Sequence, residues 1–278
     1  MKIINSVAIC LVLGVSGVIP AYVHADTVLD FVVKEKRAEP AINQSLVVKD
    51  GQIMVKAAGG SKDMDLLYSR AAESVVIVDH RKRTLMTVNE QEVARINRQA
   101  KDVQPLLQGF SDQVAKLSPE QRQKWQELLG ESISLDKIAK ASEPLLPNKL
   151  VPTGIMKKVA GVRCQEMRLL QGETPMAELC LAAPAALKIS EADGATIRGL
   201  FDLYERIATK SQGLARQLGL SLPAVAMAEI AGLPVEMRDL SRDENGSLTL
   251  SRIKTAAVSS DAMKIPGGYK AVPLALWP

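Results

Sequence analysis

Aromatic residues are almost missing from this chain: three Phe, four Tyr and two Trp stand among 278 positions. A sugar or base site built on stacked rings is hard to assemble from so few, and the core has to be made from Leu, Val, Ile, Ala and Met. Histidine is scarcer still, with only His24 and His80, so a multi-histidine metal centre is excluded. A triad around His80 would need distant partners that no local motif marks, and the plain reading is a solvated basic turn before Arg81-Lys82-Arg83, the alternative being contact with an anionic lipid head group. Neither sign of charge dominates: 35 Lys and Arg face 31 Asp and Glu, a formal charge of +4. That balance, spread along the chain, argues neither for nor against nucleic acid. Asp63/Asp65 and Asp243/Glu244 lack the spacing of a calcium loop, and Gly59-Gly60 and Gly267-Gly268 lack a phosphate-loop pattern. No cofactor and no metal is expected, and the protein reads as non-enzymatic. Carboxylates that meet only in the folded chain would leave no local trace.

What is present begins with an address. Lys2 is followed by a largely apolar stretch over residues 3–20, and Val23-His24-Ala25 then puts compact residues three and one positions before Asp26. This is the layout of a secretory leader cut after Ala25. Gly14, Gly17 and Pro20 break the apolar run short of the roughly 20 residues that a spanning helix needs. Cys10 follows Ile9, which does not suit a lipidated cysteine. Residues 1–25 are therefore expected to be a signal peptide, with residues 26–278 forming one domain in the periplasm of a Gram-negative bacterium. No transmembrane segment is expected after cleavage. Without Lys2 the formal charge is +3, and secretion sets nucleic acid aside as a partner.

Cys164 and Cys180 are then the remaining cysteines, an even number in an oxidising compartment. Val162 to Leu170 and Met176 to Leu181 read as strands joined by the turn Gln171-Gly172-Glu173-Thr174, and the cysteines lie symmetrically about Gly172. A simple hairpin sets them opposite each other, within disulfide reach. A bulge in the odd-length loop could displace the register by one and spoil the pairing. A redox-active pair is the alternative, but the CxxC spacing and a helix N-terminus are both missing.

Strands come in two groups around a helical block. Thr27 to Lys36, Leu46 to Lys49, Gln52 to Lys56, Leu66 to Ser69, Ser74 to Val78 and Arg83 to Val88 read as an antiparallel meander, with Asp50-Gly51 as a tight turn. Val93, Ile96, Val103, Leu106, Phe110, Val114 and Leu117 then recur at helical spacing, with Pro105 expected to split or kink the run. Ser118-Pro119-Glu120-Gln121 opens a second helix with Ser as cap, Pro at the first position and Gln reaching back. That helix carries Trp125, Leu128 and Leu129 and is expected to pack over a sheet. Residues 131–154, with Pro144, Pro147 and Pro152, read as a connector. Residues 194–218 form another helix with Ile197, Leu200, Phe201, Tyr204, Ile207, Leu214 and Leu218 along one side. The apolar stretch Leu220 to Val235 is either a buried connection or the wall of a ligand cleft. Val235 to Leu240 and Leu248 to Ala257 close the chain.

Three segments carry a resemblance. Lys116-Leu117-Ser118-Pro119-Glu120-Gln121-Arg122, Val159-Ala160-Gly161-Val162-Arg163-Cys164 and Ile265-Pro266-Gly267-Gly268-Tyr269-Lys270 resemble, in the same order, motifs of a widespread secreted bacterial family of unknown function. That family looks like a relative of the periplasmic lipoprotein carrier (the lipoprotein localisation factor). The resemblance implies a strongly curved antiparallel half-barrel with helices over its concave face, and an activity of holding acyl chains or a lipidated partner. Together with the two strand groups it gives an α+β expectation: one half-barrel with a helical insert at about 89–130.

The expected function is non-enzymatic binding of a hydrophobic ligand, a lipid or an acylated protein of the envelope. The alternative is a protein-interaction module such as an envelope-stress sensor or assembly factor. The expected cleft is lined by Met54, Val76, Val78 and Leu85 and closed by Phe201, Tyr204, Leu222, Val225 and Met227. N-terminal sequencing of the secreted protein should begin at Asp26; a chain that keeps residues 1–25, or an acyl group on Cys10, overturns the leader.

Overall fold

The computed structural model describes residues 26–34, 40–58, 62–129, 135, 138, 146–217, 232–241 and 246–275. The expectations for residues 1–25 and for Leu222, Val225 and Met227 fall outside these residues. The chain is an α+β protein built on a sheet of twelve strands that is not closed.

Six strands come first as an antiparallel meander: β1 Asp26–Lys34, β2 Ile42–Lys49, β3 Gln52–Val55, β4 Met64–Ser69, β5 Ser74–Asp79 and β6 Thr84–Val88. Asp50 and Gly51 join β2 to β3 with φ of 48° and 74°, the left-handed pair that a two-residue hairpin turn needs. The helical insert follows as α1 Glu90–Lys116 and α2 Pro119–Leu129. A second meander then runs through β7 Asn148–Val159, β8 Val162–Gln171, β9 Thr174–Ala182, β10 Leu233–Asp239 and β11 Ser247–Ala256, with α3 Pro184–Leu187 and α4 Glu191–Gln217 inserted after β9. β11 pairs with β1 and fuses the two meanders, and the short β12 Lys270–Val272 runs parallel to β6. The order across the sheet is β12-β6-β5-β4-β3-β2-β1-β11-β10-β9-β8-β7.

Local chemistry sets the element ends. Asn89 caps α1 by accepting the Glu92 N–H at 2.9 Å. At the start of α2 the Gln121 side chain accepts from the Ser118 N–H, and Ser118 Oγ accepts from the Gln121 N–H, a reciprocal capping box. α1 is one helix through Pro105, so of the expected split or kink the split does not occur. The proline sits on the exposed side, and the turns around it hold the helix despite one missing hydrogen bond. The expected connector over 131–154 gives way from Asn148 on, where β7 begins and includes Pro152, while 131–134, 136, 137 and 139–145 lie outside the described residues. β7 is an outer strand, and its register with β8 breaks between Pro152 and Met156, so a residue without an N–H is tolerated there.

Cys164 and Cys180 are bonded, with Cα atoms 5.3 Å apart. They do not face each other directly. A shift at Leu169/Leu170 puts Cys180 opposite Glu166, two residues along from Cys164. An offset of two keeps both cysteines on one face of the sheet, so the bridge forms on the diagonal.

Register also sorts the first meander into two faces. Ile53, Tyr68, Val75 and Val88 are paired in a row, and this row faces α4. Ile197, Phe201 and Leu203 of α4 join Leu29, Phe31, Val48, Ile53 and Tyr68 in the main core. Leu203 is 1% exposed whereas Tyr204 is 41% exposed, so Tyr204 lies off the buried stripe on which it was expected. Thr27 Oγ1 donates to Asp193 at 2.6 Å, both buried, and pins the start of α4 to β1. On the opposite face Met54, Leu67 and Val76 are paired in a row and packed under Met263. Met263 and Ile265 belong to the segment after β11, which crosses this face to reach β12.

Gly199 marks the closest approach of α4 to the sheet. A Cβ built there would lie 2.6 Å from the Tyr68 hydroxyl oxygen, and Tyr68 is buried. Gly199→Ala should therefore destabilise by about 1–3 kcal/mol in urea unfolding, despite the better helix propensity of Ala. With Tyr68→Phe added the same change should become neutral or stabilising. An additive double variant overturns this contact.

Candidate functional site

Of the nine residues expected to line one cleft, the six that are described do not come together. Met54 and Val76 sit in the cluster under Met263. Val78 and Leu85, paired with each other, point to that same face by alternation. Phe201 packs against the main core on the α4 face, and Tyr204 stands half-exposed beside it. Leu222, Val225 and Met227 lie outside the described residues. The expectation combined residues from both sides of one sheet, and two of its strand members, Met54 and Val78, are core residues, each 1% exposed, while Val76 and Leu85 are half-buried.

An apolar hollow lies instead on the insert. Phe110, Gln113, Val114 and Leu117 follow each other along the last turns of α1, at the three- and four-residue spacing of one helix stripe. The chain breaks at Leu117, restarts through the capping box, and brings Trp125 of α2 and Leu135 to the same hollow. Its volume is about 240 Å³. Its floor is Val114 and Leu135, which pack with Ile138 in a small buried cluster. Its rim is aromatic and wet: Phe110 is 46% and Trp125 53% exposed. The periodic pattern marked both rings as apolar helix positions, but it assigned them to packing on the sheet.

Two polar networks flank the core. Across β7, β8 and β10, Lys157 pairs with the buried Glu166 and with Glu236 at 3.5 Å. The Lys157 ammonium holds the Glu166 carboxyl below the usual range against the effect of burial, and Lys157 is raised in turn. Arg168 and Arg238 flank Glu178 at 2.9 and 3.9 Å. The second network sits at the end of β5. His80 is not a freely solvated turn residue. Its Nε2 lies 3.0 Å from Asp65 Oδ2, and its Nδ1 lies 3.0 Å from the Tyr269 hydroxyl. A neutral ring protonated on Nε2 satisfies both, donating to Asp65 and accepting from Tyr269. Lys56 Nζ and the Ala57 N–H also donate to Asp65. Tyr269 is 189 positions from His80, so no local motif could have joined them. Among the described residues no group of three or more His, Cys, Asp and Glu gathers as a metal site, and no helix is long and apolar enough to cross a membrane.

No known family matches the sequence, and no curated protein matches it. Solved structures with a similar course of the chain include an uncharacterised conserved protein from Thermus thermophilus. It is 8% identical, with a TM-score of 0.38 and coverage of 90% of this chain and 91% of that one. PNGF-II aligns at 7% identity and a TM-score of 0.31, over 91% of this chain and 31% of its own. The Pseudomonas aeruginosa MucA/MucB complex aligns at 12% identity and a TM-score of 0.32, over 89% of this chain and 58% of that one. At these scores none of them carries a ligand or an activity to this chain.

Burial by itself would raise the Asp65 carboxyl, but the hydrogen bonds from Lys56, His80 and Ala57 outweigh it and hold it below its ordinary 3.8. A depressed carboxyl adds stability that is complete well above 3.8 and is lost as the pH falls through its lower folded value. Asp65→Asn should cost about 1–3 kcal/mol at neutral pH and less at a pH beneath the folded value, so its stability profile should be flatter in acid. A loss of equal size at both pH values would show that Asp65 acts by packing alone.

Proposed function

We propose that this is a non-enzymatic binding protein of the bacterial periplasm, which takes the apolar part of a lipid or an acylated protein in the groove of its helical insert. The observation that carries the reading is the placing of Phe110 and Trp125 on the rim of an open apolar hollow, in a chain with so few rings. Burying one large apolar side chain is worth roughly 1.5–3 kcal/mol, so covering the two rings offers a real driving force. A volume of about 240 Å³ lies just under the usual range of small-molecule pockets and suits an aliphatic tail. Val114, Leu117 and Leu135 line it beside the two rings, and dispersion contacts do not demand one tail length.

The periplasmic address rests on the leader reading of residues 1–25, with which the Cys164–Cys180 bond agrees. The relation to the lipoprotein-carrier half-barrel rests on the three motifs. What supports a rolled sheet is the approach of β7 to β11. Four strand spacings put them about 19 Å apart in a flat sheet, yet their Cα atoms come within 8 Å. The proposed ligand site is nevertheless the insert and not the sheet face.

A protein-interaction module, such as an envelope-stress sensor or an assembly factor, is the second reading. The filled packing at Met54 and Val78 favours it, as do the exposed Ile155 and Met156 on the outer strand β7. The groove would then receive an apolar side chain of a partner.

Trp277→Phe leaves Trp125 as the only tryptophan, which gives a direct probe. Bromine-labelled fatty acids should quench its fluorescence saturably, with affinity rising about fourfold per added methylene until the groove is full. Phe110→Asp should abolish the quenching while leaving the melting curve nearly unchanged, because Phe110 is half-exposed. Absence of quenching at every chain length would overturn the lipid reading and leave the interaction module.

A further inference from the structure

The closing segment Ile265 to Lys270 has no part in the groove, yet it builds a second surface. β12 runs beside β6, and the Lys270 N–H donates to the Arg83 carbonyl at 3.0 Å. Tyr269 stands edge-on to His80, with ring centroids 5.8 Å apart, while the Arg83 guanidinium lies 5.7 Å from its ring centre. The C-terminal segment thus holds the β5–β6 turn from below and adds a cation to it. Arg81, Lys82, Arg83 and Lys270 are all exposed, as is Lys62, which stands at the same end of the sheet just before β4. None of these five enters an ion pair among the described residues. The nearby acids are Asp63, Asp65 and Asp79. Asp65 is buried under Lys56 and His80, and Asp79 turns its carboxylate back to accept the Lys82 N–H at 2.8 Å. With Lys56 this end has six permanent cations against three carboxylates, an excess of three that equals the whole formal charge of residues 26–278. The remaining residues of 26–278 sum to no net formal charge.

We infer that this end of the sheet, with Arg81, Lys82, Arg83 and Lys270 at its tip, is a docking surface for an anionic lipid bilayer. The cations stand side by side on a turn and a strand end, and side-by-side cations suit a planar array of phosphates better than a single enclosed anion. Each contact is weak, the contributions add, and salt screens them over about 10 Å at 0.1 M. The His80–Tyr269 contact braces the turn on which Arg81, Lys82 and Arg83 stand.

Vesicle co-sedimentation of the chain from Asp26 onward tests this. Binding to phosphatidylglycerol vesicles should exceed binding to phosphatidylcholine vesicles and fall steeply with added sodium chloride. Arg81→Gln with Lys82→Gln should weaken it by about fivefold for each cation removed. The same charge removed at the β7–β8 turn, by Lys158→Gln with Arg163→Gln, should have little effect. Phe110→Asp should still bind, which separates this surface from the groove. Equal binding to both vesicle types would overturn the inference. So would an equal loss in the two double variants, displacement by inorganic phosphate at constant ionic strength, or equal affinity for duplex DNA.

Discussion

The pairing of β1 with β11 holds this molecule together. It joins Asp26 to Ala256 and Lys34 to Ser247, so the strand that opens the described chain lies in the middle of the sheet. Without it there would be two separate meanders, each with a long open edge. β1 is hydrogen-bonded on both sides, and polar side chains from both halves converge on it. Asp26 receives Lys49 and the Val258 N–H, Asp30 receives Ser45 and Arg252, and Thr27 reaches Asp193. Burial pushes the Asp30 carboxyl up, yet the donors around it hold it below the usual range. Such a seam closes a loop of more than two hundred residues, so the packing of α4 across β2 and β3 has to help hold it.

Once the seam is set, the two outer edges are dealt with differently. β7 carries Pro152, a break in register, and Lys149, Lys157 and Lys158, features that discourage another chain from adding a strand. The edge of β6 is covered by the chain itself through the three residues of β12. The segment leading there also lays Met263 and Ile265 over the second apolar face. Both faces of the first meander are therefore occupied from within. Among the described residues, the insert presents apolar surface to water around a hollow at Phe110 and Trp125.

Much of this was legible in short stretches. Asp50-Gly51 marked a hairpin, Ser118 to Gln121 a capping box, and Cys164 and Cys180 a bridge, because each depends on residues close in sequence or on one turn. The cleft was not legible. Alternation along a strand says that Val76 and Val78 share a side, but not which side a helix will cover. Met54 and Phe201 were consequently placed together although the sheet separates them. His80 looked solvated because its partners, Asp65 and Tyr269, lie on different strands or far along the chain.

The sequence by itself determined the α+β class, the two strand groups around a helical insert, the turn chemistry and the disulfide. These follow from periodicity, backbone preference and the chemistry of single residue types, all of which act locally. Only the tertiary structure decided the order of the strands, the face on which each apolar row is buried, and the gathering of Arg81, Lys82, Arg83 and Lys270 at one end. Those outcomes depend on which distant edges pair and which faces are covered first. That choice is settled by the burial of the whole sheet, and no local stretch of sequence records it.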